Sequence, residues 1–555
     1  MPIQPAQTGS FKVRTALVLM LFSVAIMRLV LTFLHEANWD EYLNLAMIYD
    51  HQRGELREIL QTGFVHLFGW VTWVSHNEAD QVIAARIVYL GVGLITSAAI
   101  WKTARSLVSA EGAFFAVLCY WGFSFNLVHG VSLRTDPLAA SAMMCALCLA
   151  ISPSLSIRRA VAAGILVGLA GFFTIKAIFY VPALVAVVLI RSAGNEAASM
   201  MKGVVAVVIV GVAALLSFAG LSLGHAATFS DAASPFEFVG RTADSTLAPQ
   251  NHLVLITYLR AALYQNVVLV ALWLVGLFGL VMRLRNRESR TQGLLGLALV
   301  MPLLSFLIYR DTYPYYYPFI LAPVMVITGF AWDDIRRRYG VIIAMTAGAA
   351  ACISALLATV EQVQKPIERQ HMTLEVIHRL FPDQTSYIDG RSMVSSFSKR
   401  GPFMSTWGMT DYRRDGVPVM GELIERHQPK FLLANTWHLQ LDRLSPAQSE
   451  ALEFGLLSAD MQTLRDNYMR YWGPLYVPGK TIKVEDNSVQ ILVSGTYRLI
   501  ADAPVFIEGK PLMPGSEIAL DAAEYNVSAT TTSKLILSVE APREPPPEKL
   551  LFGGF

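Results

Sequence analysis

Two adjacent carboxylates, Asp40 and Glu41, follow directly on the first long apolar segment and are flanked by Trp39 and Tyr42. The pair therefore lies where a membrane span would end. Ionisable residues at such a boundary are costly to bury and are often functional. A carboxylate held there could act as a general base toward a hydroxyl group. The same residues are also typical of a solvated loop beside an aromatic belt, and their types alone do not separate the two interpretations.

A second acidic position, Asp136, precedes Pro137 and comes two residues after Arg134. Aspartate followed by proline is typical of the first turn of a helix, which favours an N-terminal cap. Arg134 adds a cation at the same membrane edge. We therefore keep Asp136 as a catalytic candidate and Arg134 as a substrate-binding candidate.

Two further cations are candidates for binding a phosphate group. Arg310 precedes a stretch that contains Tyr313 and Tyr317, and the fork of its donors matches phosphate oxygens. Asp311, its neighbour, could instead form an ion pair with it. Lys176 falls between two apolar segments, where a lysine that snorkels to the headgroups is equally expected. The tyrosines suit either a substrate-binding site or an aromatic belt.

These residues are embedded in a composition that indicates a polytopic α-helical membrane protein. Of 555 residues, 54% are hydrophobic and 15% are charged, and the mean hydropathy is +0.45. A typical soluble domain has about 25% charged residues. About eleven segments approach the ~20 apolar residues that cross a bilayer. They are predicted at 14–34, 82–101, 112–128, 137–152, 159–175, 177–191, 202–223, 258–281, 292–309, 315–332 and 340–360.

Basic residues predict the orientation of these spans, because loops rich in Lys and Arg stay in the cytoplasm. With a cytoplasmic N-terminus, nearly all of the connections on the cytoplasmic side are short and basic. The opposite side then receives residues 35–81, 129–136, 224–257, 310–314 and everything after 360. Asp40, Asp136 and Arg310 are thus expected on one face. We predict a multi-pass protein of the cell inner membrane with a periplasmic C-terminal region.

The outer segments have their own organisation. In the first outer loop, the apolar residues after the acidic pair predict an amphipathic helix at the membrane interface, which ends near Gly54. Residues 1–360 are predicted to form the membrane domain and residues 361–488 a mixed α/β region. Residues 489–541 carry short apolar runs separated by turns, which indicates a small β-sandwich. The proline-rich tail 542–555 is expected to be disordered.

Several chemistries have no support in the sequence. The four cysteines all fall in apolar segments, so buried thiols are expected rather than a metal or redox site. No phosphate-binding glycine loop or HExxH pattern is present. The first outer loop has no pair of aspartates separated by one residue. We expect neither a cofactor nor a metal, and a net charge of +2 gives no indication of nucleic acid as a partner.

Three local motifs resemble the GT-C superfamily of membrane glycosyltransferases. More narrowly, they are similar to the branch of protein O-mannosyltransferases and lipid A aminoarabinose transferases. The motifs are Trp39-Asp-Glu-Tyr42 followed by Ala46 and Gly54, then Arg134-Thr-Asp136-Pro-Leu-Ala-Ala, and Tyr313–Pro318 before an apolar span. The resemblance covers residues 10–335, and nothing after 360 is matched.

The resemblance implies a polyprenyl-phosphate-linked sugar as donor and Asp40 as the catalytic base. One departure concerns the first outer loop, where the aminoarabinose enzymes have a Lys-Pro-Pro segment and this chain has Thr62–His66. His66 could replace the missing lysine, although a loop histidine is more often polar surface. The phosphate contacts of those enzymes therefore cannot be transferred directly.

The residues and the resemblance together predict an inverting glycosyltransferase. Its acceptor would be an envelope glycan, a lipid such as lipopolysaccharide, or a protein, and membrane lipids would surround it. The predicted catalytic residues are Asp40, Glu41 and Asp136, and the predicted substrate-binding residues are Arg134, His66, Lys176, Arg310, Tyr313 and Tyr317.

Three alternatives remain. The first is a glycosyltransferase for cell-wall polysaccharide, the second a lipid or polysaccharide transporter, and the third a non-catalytic scaffold. A transporter usually has ionisable residues in the middle of its spans. The predicted spans of this chain contain few such residues, and Arg28 and Arg86 are the exceptions. The acidic pair at the span boundary argues mildly against a scaffold.

Overall fold

The computed structural model describes residues 6–152, 155–193, 197–229, 252–547 and 550–553. Its first part is a helical bundle, and its last part combines helices with β-sheet. The α-helices are Ala6–Leu34, Trp39–Arg53, Val65–Phe68, Glu78–Arg105, Ala110–Gly122, Ser124–His129, Thr135–Ala150, Ile157–Phe173, Val181–Ser192, Ala197–Ala226, His252–Gln265, Val267–Arg285, Arg290–Val300, Tyr316–Val324, Ile327–Val363, Glu368–Leu380, Thr406–Asp415, Met420–His427, Pro446–Ala451 and Ser458–Asn467. Short 3₁₀ helices are Gly69–Trp73, Ile175–Tyr180, Met301–Leu307 and Trp437–Leu439.

Within the described residues, 7 helices are long and apolar enough to cross a membrane. They are Lys12–Leu34, Glu78–Arg105, Ile175–Ser192, Met200–Ala226, Val267–Arg285, Arg290–Leu307 and Ile327–Val363. The chain is thus a multi-pass membrane protein. Every segment predicted to span the membrane contains helix, but several helices are short, and the number of spans stays a prediction. Most of the predicted outer loop 224–257 lies outside the described residues.

The helix Trp39–Arg53, called the Asp40 helix below, begins and ends as its sequence predicts. Asn38 and Glu41 form a capping box at its start, and Gly54 closes it in the left-handed region with φ 72°. Its position at the membrane interface stays a prediction. Tyr42, Leu45 and Ile48 are buried in a core shared with the C-terminal region. The C-terminal region therefore covers this apolar face of the helix.

The C-terminal β-sheet region expected from the sequence is confirmed. Its strands are β1 Ser386–Asp389, β2 Ser398–Arg400, β3 Phe431–Leu433, β4 Tyr468–Trp472, β5 Leu475–Ile482, β6 Ser488–Gln490, β7 Gly495–Ile500, β8 Val505–Ile507, β9 Lys510–Leu512, β10 Glu517–Leu520, β11 Glu524–Ala529 and β12 Ser533–Leu537. An eight-stranded sheet has the order β10-β7-β12-β5-β3-β1-β2, with β4 also paired to β5. A four-stranded sheet has the order β6-β11-β8-β9.

The two sheets share buried side chains with each other and with the Asp40 helix. Val505 and Val527 of the smaller sheet belong to the same core as Leu499 and Leu535 of the larger one. The larger sheet also runs across residue 488, because β12 pairs with β5 from Ser533 to Ile536. The division into separate regions at 488 stays a prediction, and one continuous core joins the two sides.

The proline-rich tail was expected to be disordered, and for its described residues this is wrong. The Phe552 ring packs edge-on against Trp39 at 6.2 Å and against Tyr42 at 5.9 Å. The amide of Gly553 donates to the Glu36 side chain at 2.8 Å. The tail contains an apolar pair, Leu551 and Phe552, which is buried beside the start of the Asp40 helix. The prolines led to a prediction of disorder, but burial of Leu551 and Phe552 holds this part of the tail against the protein.

Candidate active site

Asp40 lies at the edge of the helical bundle, where the first span gives way to the Asp40 helix. Its side chain is 20% exposed and accepts a hydrogen bond from the Arg134 guanidinium. Arg134 also donates to Asp136 at 3.4 Å, so one guanidinium joins both carboxylates. Burial opposes the charge of Arg134, but the carboxylates of Asp40 and Asp136 raise its pKa above the ordinary value. These three predicted site residues therefore come together.

Asp136 is held from a second side by Lys176. It lies in the first turn of the helix Thr135–Ala150, its side chain is 2% exposed, and it accepts a hydrogen bond from Lys176 Nζ. Lys176 therefore points into the protein toward the carboxylate, whereas a snorkelling lysine would point to the headgroups. The result is a row of alternating charges in the order Asp40, Arg134, Asp136 and Lys176.

The ring of Tyr315, which was not predicted as a site residue, contacts both cations of this row. The Arg134 guanidinium lies over the Tyr315 ring at 3.5 Å from its centroid, and Lys176 Nζ lies 5.5 Å from the same ring. Tyr313 stacks on Tyr315 at 5.7 Å and so lies at the edge of the site. A cation over an aromatic face is stabilised by the ring quadrupole. The run of tyrosines from 313 to 317 offered only a general signal for this contact.

Arg310 lies beside the site and stacks on Trp407, a residue of the C-terminal region. Its guanidinium lies 3.3 Å from the centroid of the Trp407 ring. The Trp407 indole donates to Asp311 at 2.8 Å, whereas Arg310 Nε is 3.9 Å from the same carboxylate. Arg310 Nε is buried without a hydrogen-bond partner among the described residues. The predicted ion pair with Asp311 is therefore long, and donors of Arg310 remain available.

Another cation from the C-terminal region, Arg391, reaches the site and was not predicted. Its guanidinium lies 4.2 Å from the centroid of the Trp39 ring, next to Asp40. Burial lowers the pKa of Arg391 to about 10, and Asp40 and Asp389 oppose that shift. No local pattern indicated Arg391, because it lies about 350 residues after Asp40 in the chain.

Glu41 lies beneath the site and is not exposed on its open side. Its carboxylate is fully buried and binds Arg86 at 2.9 Å and 2.5 Å. It also accepts the amide of Leu133 at 3.0 Å. Burial alone would raise the pKa of Glu41, but the charge and hydrogen bonds of Arg86 lower it below the ordinary value. Glu41 thereby fixes the residue before Arg134.

Other hydrogen bonds hold the same loop in place. Asn44, on the Asp40 helix, donates to the Leu133 carbonyl at 2.7 Å. The Tyr89 hydroxyl donates to the Arg134 carbonyl at 2.6 Å. The backbone on both sides of Arg134 is therefore anchored, which sets the position of its guanidinium between the two aspartates.

Two predicted site residues are not brought to Asp40. His66 donates to or accepts from His225 at 2.7 Å, and its ring lies 4.9 Å from that of His51. His51 comes eleven residues after Asp40 on the same helix, a distance of about 16 Å. Tyr317 is buried between Phe123 and Phe125 in the core of the bundle. Both residues are held by their immediate packing, which their positions in the sequence did not reveal.

Comparisons with known proteins support the fold and leave the family open. No protein-family model and no curated protein sequence matches the chain. Two solved structures of the oligosaccharyltransferase of Archaeoglobus fulgidus are similar to it. The apo form has a TM-score of 0.53 and 11% identity over 93% of this chain and 76% of that one. The complex with Zn and sulfate has a TM-score of 0.52 and 10% identity over 95% and 98%.

A third similar structure is ArnT of Cupriavidus metallidurans bound to undecaprenyl phosphate. It has a TM-score of 0.47 and 16% identity over 80% of this chain and 96% of that one. The chain shares its fold with the oligosaccharyltransferase of Archaeoglobus fulgidus. This agrees with the helical membrane bundle and C-terminal α/β region expected from the sequence.

The zinc in one of those structures raises the question of a metal here. Among the described residues, no group of three or more His, Cys, Asp or Glu side chains could hold a metal ion. Asp40 and Asp136 are moreover already joined to Arg134 and Lys176. A divalent cation would have to displace these internal cations. The residues that the structure describes do not fit a metal centre, and metal independence stays a prediction.

Proposed function

We propose that the protein is an inverting glycosyltransferase that uses a sugar linked to polyprenyl phosphate. The observation that carries this proposal is the guanidinium of Arg134 between the carboxylates of Asp40 and Asp136. This row of charges lies where the bundle meets the C-terminal region. The GT-C fold and the resemblance of the same three residues to a glycosyltransferase motif support the assignment. The acceptor group is a hydroxyl or a phosphate of an envelope glycan, lipid or protein.

For a hydroxyl acceptor, Asp40 is the general base. The acceptor oxygen attacks C1 of the donor sugar and forms the new glycosidic bond. The bond between C1 and the phosphate oxygen breaks, and its electron pair stays on the polyprenyl phosphate. The acceptor proton passes to the Asp40 carboxylate, which is accessible enough to receive it. A single displacement of this kind inverts the configuration at C1.

The remaining residues of the row position Asp40 and bind the leaving group. Asp136 is too deeply buried to meet an acceptor, and it holds Arg134 and Lys176 in place. Arg310 has a buried Nε donor without a partner among the described residues, and its guanidinium lies over Trp407, which suits a phosphate. We assign the donor phosphate to Arg310, with Lys176 as a second positive charge. Fixed cations stabilise charge that develops on the phosphate as the bond breaks.

Arg310→Lys is expected to weaken donor binding about tenfold. Lysine keeps the charge but loses the fork of donors and the flat contact with Trp407, and a hydrogen bond to a charged group contributes about 1.5–3 kcal/mol. The measurement is equilibrium binding of undecaprenyl phosphate to the purified variant, with thermal unfolding recorded in parallel.

The matched control for this substitution is Arg414→Lys. Arg414 is 69% exposed and pairs only with surface carboxylates. It should leave donor binding unchanged. If Arg310→Ala also binds undecaprenyl phosphate as the wild type does, the phosphate belongs to Lys176 or to another residue.

We further propose that the site faces the periplasm from the inner membrane. Asp40, Asp136 and Arg310 lie together with Trp407 of the C-terminal region, so all must face one compartment. The basic residues of the alternate connections support a compartment outside the cytoplasm. Alkaline phosphatase joined after the last described residues should therefore be active, and a cytoplasmic reporter at the same point should not. The reverse pattern would contradict the orientation.

The proposed activity is tested by mass spectrometry of the cell envelope. Glycolipids, glycoproteins and polysaccharides are compared between the wild type, a deletion strain, and deletion strains that carry the wild-type or the Asp40→Asn gene. We expect one glycan modification to disappear on deletion and to return only with the wild-type gene. Identical envelopes in all four strains would contradict the proposal.

A further inference from the structure

A large cavity lies between the Asp40 helix and the C-terminal region, apart from the row of charges. Its volume is about 1100 Å³, and it is lined by both elements. Pockets for drug-sized ligands measure about 300–1,000 Å³. The cavity therefore has room for several sugar rings.

The cavity is rich in positive charge. Arg57, Lys399, Arg400 and Arg426 line it, together with two carboxylates. Both carboxylates, Asp50 and Glu55, are bound by Arg53, at 2.5 Å and 3.2 Å. Arg53, which is outside the lining, compensates one of these two negative charges, and the four lining cations then leave an excess of positive charge at the cavity.

Among the described residues none of the four cations forms an ion pair, and Lys399 donates only to the carbonyls of Gly401 and Pro402. No carboxylate lies within ion-pair distance of Arg57, Arg400 or Arg426 among the described residues. Arg400 Nε is in addition buried without a hydrogen-bond partner in that part of the chain. Burial first, and then the charges of Arg400 and Arg426, lower the pKa of the neighbouring His427. A buried donor without a partner is costly, and an anionic ligand would satisfy it.

The cavity extends along the Asp40 helix toward Asp40. Leu43, Met47 and Asp50 line it, and they follow Asp40 at helical spacing on one face of the Asp40 helix. Asp50 is about 15 Å from Asp40 along that helix. Phe403 also lines the cavity, and its ring lies 5.8 Å from the Arg391 guanidinium that covers Trp39. The end of the cavity at Leu43 and Phe403 is thus the part nearest to the proposed base.

We propose that this cavity binds the acceptor and that the acceptor is an anionic saccharide, held by Arg57, Arg400 and Arg426. This inference rests on the proposed function, because it places an acceptor hydroxyl near Asp40. The charged groups bind the acidic groups of the saccharide, and apolar side chains such as Leu56 and Phe403 cover its rings. Carboxylate or phosphate groups match the guanidinium donors.

The test uses the full-length protein in detergent and two probes of one skeleton. Trigalacturonate carries three carboxylates, and its methyl triester has the same rings without charge. We expect trigalacturonate to bind at least tenfold more tightly than the ester, and less tightly as salt is added. Equal affinity for the two probes, or no binding of trigalacturonate, would overturn the inference without any variant.

Variants locate the binding within the cavity. The double variant Arg400→Gln with Arg426→Gln should bind trigalacturonate at least tenfold more weakly. Arg498→Gln removes an exposed arginine of β7 that does not line the cavity, and it should bind as the wild type does. If both variants bind equally, the site is elsewhere. Thermal unfolding of each variant verifies that it is folded.

Binding of undecaprenyl phosphate, measured in the same preparations, separates this inference from the proposed function. Loss of trigalacturonate binding with donor binding intact in the double variant supports an acceptor cavity. If the wild type binds the donor but neither probe, the cavity inference is wrong and the proposed function stands. If it binds trigalacturonate but no polyprenyl phosphate, the cavity is an anion site and the proposed function is wrong.

Discussion

Asp40→Asn is expected to reduce sugar transfer by ~10²–10⁴-fold, the usual contribution of a general base. Asparagine has nearly the same shape but cannot take the acceptor proton. Arg134 keeps its second carboxylate, Asp136, so the row of charges should persist and the protein should stay folded. The measurement is the turnover of the purified variant with a saturating polyprenyl-phosphate donor, together with its thermal unfolding.

The control is Asp411→Asn, which removes a carboxylate that is 61% exposed and lies outside the row. It should transfer at the wild-type rate. Donor binding should also survive in Asp40→Asn, because the donor phosphate is assigned to Arg310. Near-normal turnover of Asp40→Asn would remove Asp40 from the mechanism, and a loss of folding would show a structural role instead.

Breaking the ion pair between Glu41 and Arg86 is expected to destabilise the protein by about 3–5 kcal/mol, because the remaining charge is left buried without its partner. The two side chains are 0% and 3% exposed and are joined by two hydrogen bonds. Arg86→Met leaves the Glu41 carboxylate unpaired, and Glu41→Gln leaves the guanidinium unpaired. Thermal or denaturant unfolding of the two variants measures the loss.

Arg414→Met is the matched control for Arg86→Met. It removes an arginine that is 69% exposed from a surface ion pair with Asp411, and such pairs contribute about 0–1 kcal/mol. If Arg86→Met is no less stable than Arg414→Met, the buried pair does not hold the site. Activity gives a second readout, because Glu41 anchors the amide of Leu133 next to Arg134. Glu41→Gln should therefore lower turnover even where it remains folded.

Much of the candidate site was predictable because it is built from local patterns. Asp40 follows a span, and Asp136 begins a helix, so alternation of loops across a membrane places both on one face. The same alternation brought Lys176 and Arg310 into consideration. The glycine at position 54 predicted the end of the Asp40 helix, because a left-handed residue terminates helices and glycine adopts that conformation easily.

The contacts that decide the chemistry were not predictable. Arg391 and Trp407 reach the site from the C-terminal region, and Phe552 packs beside it from the end of the chain. From the sequence, Glu41 was a second catalytic candidate and Arg86 an isolated charge within a span. In the structure the two residues form an ion pair. These contacts depend on which apolar surfaces of distant segments pack together. The sequence does not show this, because apolar surfaces of different segments have similar compositions.

The sequence alone determined that the chain crosses a membrane several times, and it predicted that Asp40 and Asp136 lie on one side, because both follow from residue type and spacing along the chain. Tertiary structure alone decided which carboxylate is accessible and which cations are unpaired. Asp40 and Glu41 are neighbours with the same chemistry, yet Asp40 meets Arg134 at an open edge and Glu41 meets Arg86 in the interior. Burial and pairing set the role of an ionisable group, and both are properties of the packed molecule.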